Sequence, residues 1–345
     1  MPLTLRDRLD RLRREPPPGP LEPAPGPPLQ KDTGELDRLE QRLLGQVQAE
    51  LPLRERLMRL AAAAARGRGA PAVERAAAPP PVPLEELVAG ARVANERGEF
   101  FRIEDDVHLE THHGAVPLSR FRLPAPGSVE VLAGDAGLDG FDLSRAVFLD
   151  TETTGLAGGT GTAAFLVGIG FVDGDRFRVR QYFMRDYHEE PALLHGLAED
   201  LARFTHVVTF NGKQFDLPLL ETRFHLARER YPLRAAPHLD LLHPARRLWK
   251  RRLASCTLQH LEQDLLGLWR RGDVAGSEIP QLYFDYVRRR DARAMARIFR
   301  HNRTDVVSLA ALAVVACQWV EEERAEDPRD VLSLARVLER AGRAE

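Results

Sequence analysis

Two acids at the end of an apolar strand constrain this chain more than any other feature. Residues 146–172 read AVFLDTETTGLAGGTGTAAFLVGIGFV. The run Ala146–Leu149 is too short for a buried helix and suits a central strand, and Asp150 and Glu152 close it. Residues two apart in an extended chain share a face, so both carboxylates project together from a strand that otherwise seeks the core. Close like charges raise one another's pKa unless a cation lies between them. A divalent ion on hard oxygen ligands meets that need. A bare Asp-x-Glu is also what a solvent-facing turn looks like, so the following residues have to distinguish the two. Thr153, Thr154 and Gly155 make a tight exit, and a Gly/Thr loop, 158–162, leads to a second apolar run, Phe165–Val172. This predicts a hairpin with the acids at its mouth. No Gly-Lys-Ser/Thr follows the glycines, and a strand comes next, which argues against a phosphate-cradling P-loop.

The rest of the chain sets the frame. Basic and acidic residues number 49 and 51, for a net charge of −2, so there is no global field for polyanions and nucleic-acid contact would need a local patch. Cys256 and Cys317 fit neither a disulfide framework nor a zinc motif, and a reducing, cytoplasmic location is expected. No secretory apolar region and no uninterrupted apolar run of membrane-spanning length is apparent. Residues 1–83 read as a disordered, Pro/Ala-rich arm with one helix at about 34–66, where Leu36, Leu39, Leu43 and Leu44 recur at helical spacing.

Residues 84–143 form a β-rich lead-in: a short helix, then ARVANERGEFFRIEDDVHLE as a hairpin, then a long Gly/Pro/Asp-rich connection at 124–143. His108, His112 and His113 read as surface or strand-edge histidines in preference to metal ligands. Residues 144–320 carry three strands in series, then helix, strand, helix and a helical remainder, an α/β domain with a mixed central sheet flanked by helices. The third strand, 176–184, is expected to set Phe177, Val179 and Tyr182 on one side. Residues 321–345 form a helical tail resembling the first helix of a tetratricopeptide-like hairpin. Such a helix cannot bury its own face, so it packs on the domain, offers a surface to a protein partner as the N-terminal helix could, or is a truncated remnant of a repeat.

Two further acidic elements follow the hairpin. Asn211 and Asp216 lie where the strand HVVTF turns into a helix, at the strand end where open α/β sheets bind ligands. Asp216 is equally readable as a helix N-cap and Asn211 as a turn residue. His301 and Asp305 are four apart on a helix whose apolar stripe, Val306, Leu309, Leu312 and Ala313, lies on nearly the same side. An acid beside that stripe requires a partner or a metal.

The ordered set FLDTETTGL, GGTGTAAFLVG, FNGKQFDLPLLETR, HLDLLHPAR and HNRTDVVSL resembles the DEDD exonucleases of the ribonuclease-H-like fold, and within them the YprB-type family, from about Leu84 to Gln318. The resemblance implies that Asp150, Glu152, Asp216 and Asp305 are the metal-binding carboxylates, holding two Mg²⁺ or Mn²⁺ ions. It implies 3′–5′ exonuclease chemistry on the end of single-stranded DNA or RNA. His301 would orient or deprotonate the attacking water. Its His-x3-Asp spacing matches the tyrosine-bearing subgroup, leaving open which position His301 takes; one helical residue is a rotation of ~100°. Thr153, Thr154, Gly155 and Leu156 are expected at the terminal nucleotide, with Asn211 beside them, and Asp240 in a family or structural role. Arg246, Arg247, Lys250, Arg251 and Arg252, with Trp249 interleaved, read as a backbone-binding strip with a stacking ring or as a solvated helix face. Two other readings stay open: a nucleic-acid-binding scaffold with a vestigial site, and an α/β hydrolase of small phosphoesters.

Overall fold

A computed structural model describes residues 80–122, 127–155 and 161–343. The N-terminal arm with its 34–66 helix, Leu156 and the glycines at 158 and 159 lie outside the described residues. A short helix α1 (Leu84–Leu87) precedes the hairpin strands β1 (Gly90–Asn95) and β2 (Gly98–His108) and a small ribbon of β3 (His112–His113) and β4 (Val116–Pro117). Helix α2 (Ser128–Ala133) and two 3₁₀ turns occupy the stretch expected to be irregular. The core then runs through β5 (Ala146–Thr153), β6 (Ala164–Asp173), β7 (Arg176–Phe183), α3 (Glu190–Leu201), β8 (His206–Thr209), α4 (Asp216–Leu226), β9 (His238–Asp240) and α5 (Leu242–Trp249). Helix α6 (Leu258–Leu261), which runs on as a π-helical turn through Glu262–Leu266, leads to α7 (Ile279–Arg289), the long α8 (Arg293–Glu322) and α9 (Pro328–Arg340).

Seven strands form one mixed sheet in the order β1-β2-β7-β6-β5-β8-β9. The β1-β2-β7-β6-β5 pairs are antiparallel, and β5-β8 and β8-β9 are parallel. A mixed ribonuclease-H-like sheet flanked by helices is thus what the chain builds. Strand alternation divides the interior. Ala146 and Phe148 of β5 enter one core with α2, α5, α9 and the C-terminal half of α8, while Val147 and Leu149 enter the other with α3, α4 and α7. The same parity corrects the reading of β7: Phe177 and Val179 belong to the first core, but Tyr182 belongs to the second.

Helix α8 is the backbone of the site. Among the described residues it is the helix with the length and mean composition to cross a bilayer, although its charge-free stretch is interrupted before spanning length, as the sequence leads one to expect. Its apolar window is 72% buried inside the protein, so the apolarity serves the core. Two glycines let it lie close on β6. A Cβ on Gly168 would fall 2.2 Å from Asn302 Oδ1, and one on Gly170 2.5 Å from Val306 Cγ1. Helix α9 begins at an Asp327 cap with Pro328 at its first turn and buries Val331, Leu334, Val337 and Leu338 in the first core. Each of those side chains contributes about 1.5–3 kcal/mol. The C-terminal tail therefore packs on the domain.

Candidate active site

Asp150 and Glu152 sit on the face of β5 that looks toward α8, by the alternation that sends Phe148 to that core. The pair meets the first half of α8. Asn302, fully buried, donates from Nδ2 to Asp150 Oδ2 at 2.8 Å, and Gln181 Nε2 of β7 donates to Asn302 Oδ1 at 2.9 Å. This chain of amides fixes both the Asn302 orientation and the Asp150 rotamer. From the other direction α4 brings Asp216, whose Oδ1 accepts the Thr151 hydroxyl at 2.5 Å. One turn apart on α8, His301 and Asp305 complete the set: His301 Nε2 lies 3.9 Å from Glu152 Oε1 and 3.4 Å from Asp305 Oδ2.

The electrostatics record the crowding. Burial holds the Asp150 carboxyl well above the usual range, and the charges of Asp305, Glu152 and Asp216 push the same way. Glu152 is likewise raised, by burial and then by Asp305 and Asp216. Burial pushes Asp216 up to about 6 against the Thr151 hydrogen bond. Acids drawn from β5, α4 and α8 thus act on one another as a single group. Glu152, His301 and Asp305 offer ligand atoms within 4.8 Å of one another, a set that can hold a metal ion. Carboxylate oxygens with one imidazole suit a hard divalent cation.

Several groups at this site carry no signal in the sequence. Arg270, only 8% exposed, donates to Glu262, to Asp305 Oδ1 and, from Nη1, to Asp273 Oδ2 at 3.2 Å. Glu262 is fully buried on the π-helical turn. Asp273 Oδ1 lies 2.8 Å from His301 Nδ1. Arg270 Nη1 lies 3.3 Å from the same nitrogen, and the shorter carboxylate contact sets the tautomer with the proton on Nδ1. The sequence reads this stretch as part of a helical remainder, but WRRGDVAG is irregular, with Gly272 in the left-handed region, and nothing in its pattern says that an arginine inside it is buried. Asn302 has a fainter trace, lying next to His301 in HNRTD on the helix face that turns inward.

The other sequence-derived candidates fall in different places. Thr153 Oγ1 donates to Gly155 O at 2.8 Å, and Thr154 Oγ1 accepts from the Ala163 amide at 3.0 Å, so both hydroxyls shape the loop mouth beside the acids. Asn211 adopts φ 65°, a left-handed turn that asparagine tolerates, and its amide donates to Asp240 Oδ1 at 2.7 Å. Asp240 also accepts the Lys213 and Leu242 amides, which makes it a buried brace of the β8–α4 turn. Arg246, Lys250 and Arg251 lie in a groove against α9, which none of the four acids lines. Trp249 corrects the stacking expectation: it is wholly buried, edge-on to Trp319, and has no face left for a base. His113, on the two-residue strand β3, is half-buried, bonded to Ser308 Oγ at 2.8 Å and pushed down to about 4 by burial.

Residues 147–317 match the family model described as the RNase_H superfamily, and the chain is a ribonuclease-H-like protein of that superfamily. Within it the chain belongs to the YprB-type family. It is 39% identical over 176 residues to "Uncharacterized protein YprB" of Bacillus subtilis (strain 168), a match covering 51% of this chain and 42% of that protein. The chain thus spans under half the length of that curated relative. Among solved structures, the family B DNA polymerase from the hyperthermophilic archaeon Pyrobaculum calidifontis overlaps 58% of this chain and 29% of its own at 13% identity. Its TM-score of 0.37 is too slight a likeness to bear on function.

Proposed function

We propose that this chain is a metal-dependent nuclease that removes nucleotides from the 3′ end of single-stranded DNA or RNA. The carrying observation is the convergence of Asp150, Glu152, Asp216 and Asp305 into one electrostatically coupled group. Such a cluster is costly by itself and is relieved by cations. Two Mg²⁺ or Mn²⁺ ions held there would supply charge stabilisation at the phosphate and a nucleophilic water. The chain's own groups account for the rest. Asp273 holds the Nδ1 proton of His301, which leaves the Nε2 lone pair facing Glu152 and Asp305, where a water proton can be accepted. Asn302 keeps Asp150 from rotating out. Preference for a single strand is supported by two exposed rings: Phe215, 56% exposed, precedes Asp216, and Trp269, 71% exposed, precedes Arg270. Aromatic faces beside a phosphate-processing site stack unpaired bases at roughly 1–3 kcal/mol each.

Asp150→Asn and Asp216→Asn should each abolish Mg²⁺- or Mn²⁺-dependent nucleotide release from a 3′-accessible oligonucleotide while the folded circular dichroism spectrum is retained. Hydrolysis at the wild-type rate in either variant refutes the assignment. The Arg270 contact to Asp305 favours a second reading, a nucleic-acid-binding scaffold whose fourth ligand is already neutralised by a protein cation. Calorimetric titration with Mn²⁺ separates the two, since the scaffold reading expects no binding that Asp150→Asn removes.

A further inference from the structure

Most arginines among the described residues have an ion-pair or backbone partner. On α9 and the segment it meets, Arg329 pairs with Asp327, and Arg252 with Asp330. Between those pairs and the far end of the two helices lies a groove of about 300 Å³. It is lined by Arg246, Arg247, Lys250 and Arg251 from α5 and the turn after it, by Arg336 and Arg340 from α9, and by Ser333 and Val337 beneath them. Among the described residues no acid lines it. Arg247 is held by backbone, donating to the Leu132 and Ala133 carbonyls, while Arg340 acts on it as a like charge. The other five cations are exposed, with no ion pair among the described residues.

That arrangement has a cost in the free chain. Arg246 and Lys250, and Arg336 and Arg340, are like charges four apart, each pair destabilising a helix by a few tenths of a kcal/mol (~0.2–0.5). The groove floor is buried side chain, Ser333 at 2% and Val337 at 5% exposure, which concentrates the field of the charges above it. The apolar side of α9 is consumed by the core, so the helix has no apolar face to lay into a bilayer. What is left is a two-walled cationic trough, the form that follows a linear polyanion.

We propose that the α5–α9 groove binds the sugar-phosphate backbone of a nucleic-acid strand as a second contact, separate from the carboxylate site. The identity of that strand as the one being hydrolysed rests on the nuclease reading; the groove's affinity for it does not. The C-terminal helix is then a working wall of a binding surface as well as a cover for the core.

The test uses the full chain in EDTA, with fluorescence anisotropy on a 5′-labelled 30-nucleotide single strand and a 6-nucleotide strand across a salt series. Arg336→Glu with Arg340→Glu should weaken 30-mer binding at least tenfold. The double variant should also lower the salt slope by about 1.4, at about 0.7 for each phosphate no longer neutralised. Binding of the 6-mer should stay at wild-type level, as should its Mn²⁺-dependent hydrolysis in a parallel assay without EDTA. Arg336→Lys with Arg340→Lys should keep most of the affinity, which separates charge from misfolding. Unchanged 30-mer affinity and slope in the double glutamate variant overturn the proposal. So does loss of binding only to phosphatidylserine vesicles with oligonucleotide binding intact. If wild-type protein hydrolyses nothing yet still loses 30-mer affinity on charge reversal, the groove stands and the nuclease reading falls.

Discussion

Arg270→Met is the sharpest probe of how this site is held together. The substitution keeps an unbranched apolar stem and removes the guanidinium. That group now satisfies Glu262 with two donors, one from Nε to Oε2 at 2.6 Å, and also meets Asp305 and Asp273. Glu262 has no exposure to water. Burial already pushes its carboxyl up, and Arg270 is the main force opposing that. Removing one partner of a buried ion pair leaves an uncompensated charge and costs about 3–5 kcal/mol. At ~2–4 °C per kcal/mol for a body of this size, the midpoint of thermal unfolding in EDTA should drop by roughly 6–20 °C. Glu262→Gln removes the charge that is left behind, so the double variant should recover more than half of the loss. The assay is thermal unfolding followed by circular dichroism on the wild type, both single variants and the double variant. A single variant within about 1 kcal/mol of wild type would refute the reasoning, as would a double variant whose effects simply add, because coupling within a network is what non-additivity reports.

Further outcomes follow from the same geometry. Gly168→Ala forces Asn302 away from a 2.2 Å clash and should cost about 1–3 kcal/mol, with weaker Mn²⁺ binding by calorimetry because Asp150 loses its brace. Asp273→Asn should lower kcat by ~10²–10⁴ with KM little changed, the range for a misoriented general base; an unchanged kcat would exclude the His301–Asp273 pair from proton transfer. Stability should depend on pH through Asp216. Its carboxyl binds its proton more tightly folded than unfolded, so metal-free stability falls as pH rises from the ordinary aspartate range to about 6 and stays reduced above it. The loss is on the order of 3 kcal/mol, from about two pKa units at 1.36 kcal/mol each. Mn²⁺ should accordingly raise the unfolding midpoint much more at pH 7.5 than at pH 5, and an equal rise at both would contradict it.

Legibility in the sequence followed the range of the interactions. Strand parity within AVFLDTET puts Asp150 and Glu152 on one face, and a four-residue step puts His301 above Asp305; both are local geometry and both can be read from spacing. The order of elements is legible for the same reason, since each strand and helix declares its own period. Tyr182 stands an odd number of residues from Val179 along β7, so strict alternation turns it to the opposite face, although its ring suits either core. Trp249 looks like a stacking ring because it sits among arginines, yet the helix turns it inward onto Trp319 while its neighbours stay in water.

The chain's own residue order determined the acids, the strand that carries two of them and the helix that carries another. Only the tertiary fold decided that Arg270 and Glu262 are buried beside Asp305, that Asp273 faces His301, and that α9 closes a cationic groove over α5. Charged side chains advertise water in any single-chain pattern. Whether one is desolvated depends on what other segments lay across it, and that is a property of packing.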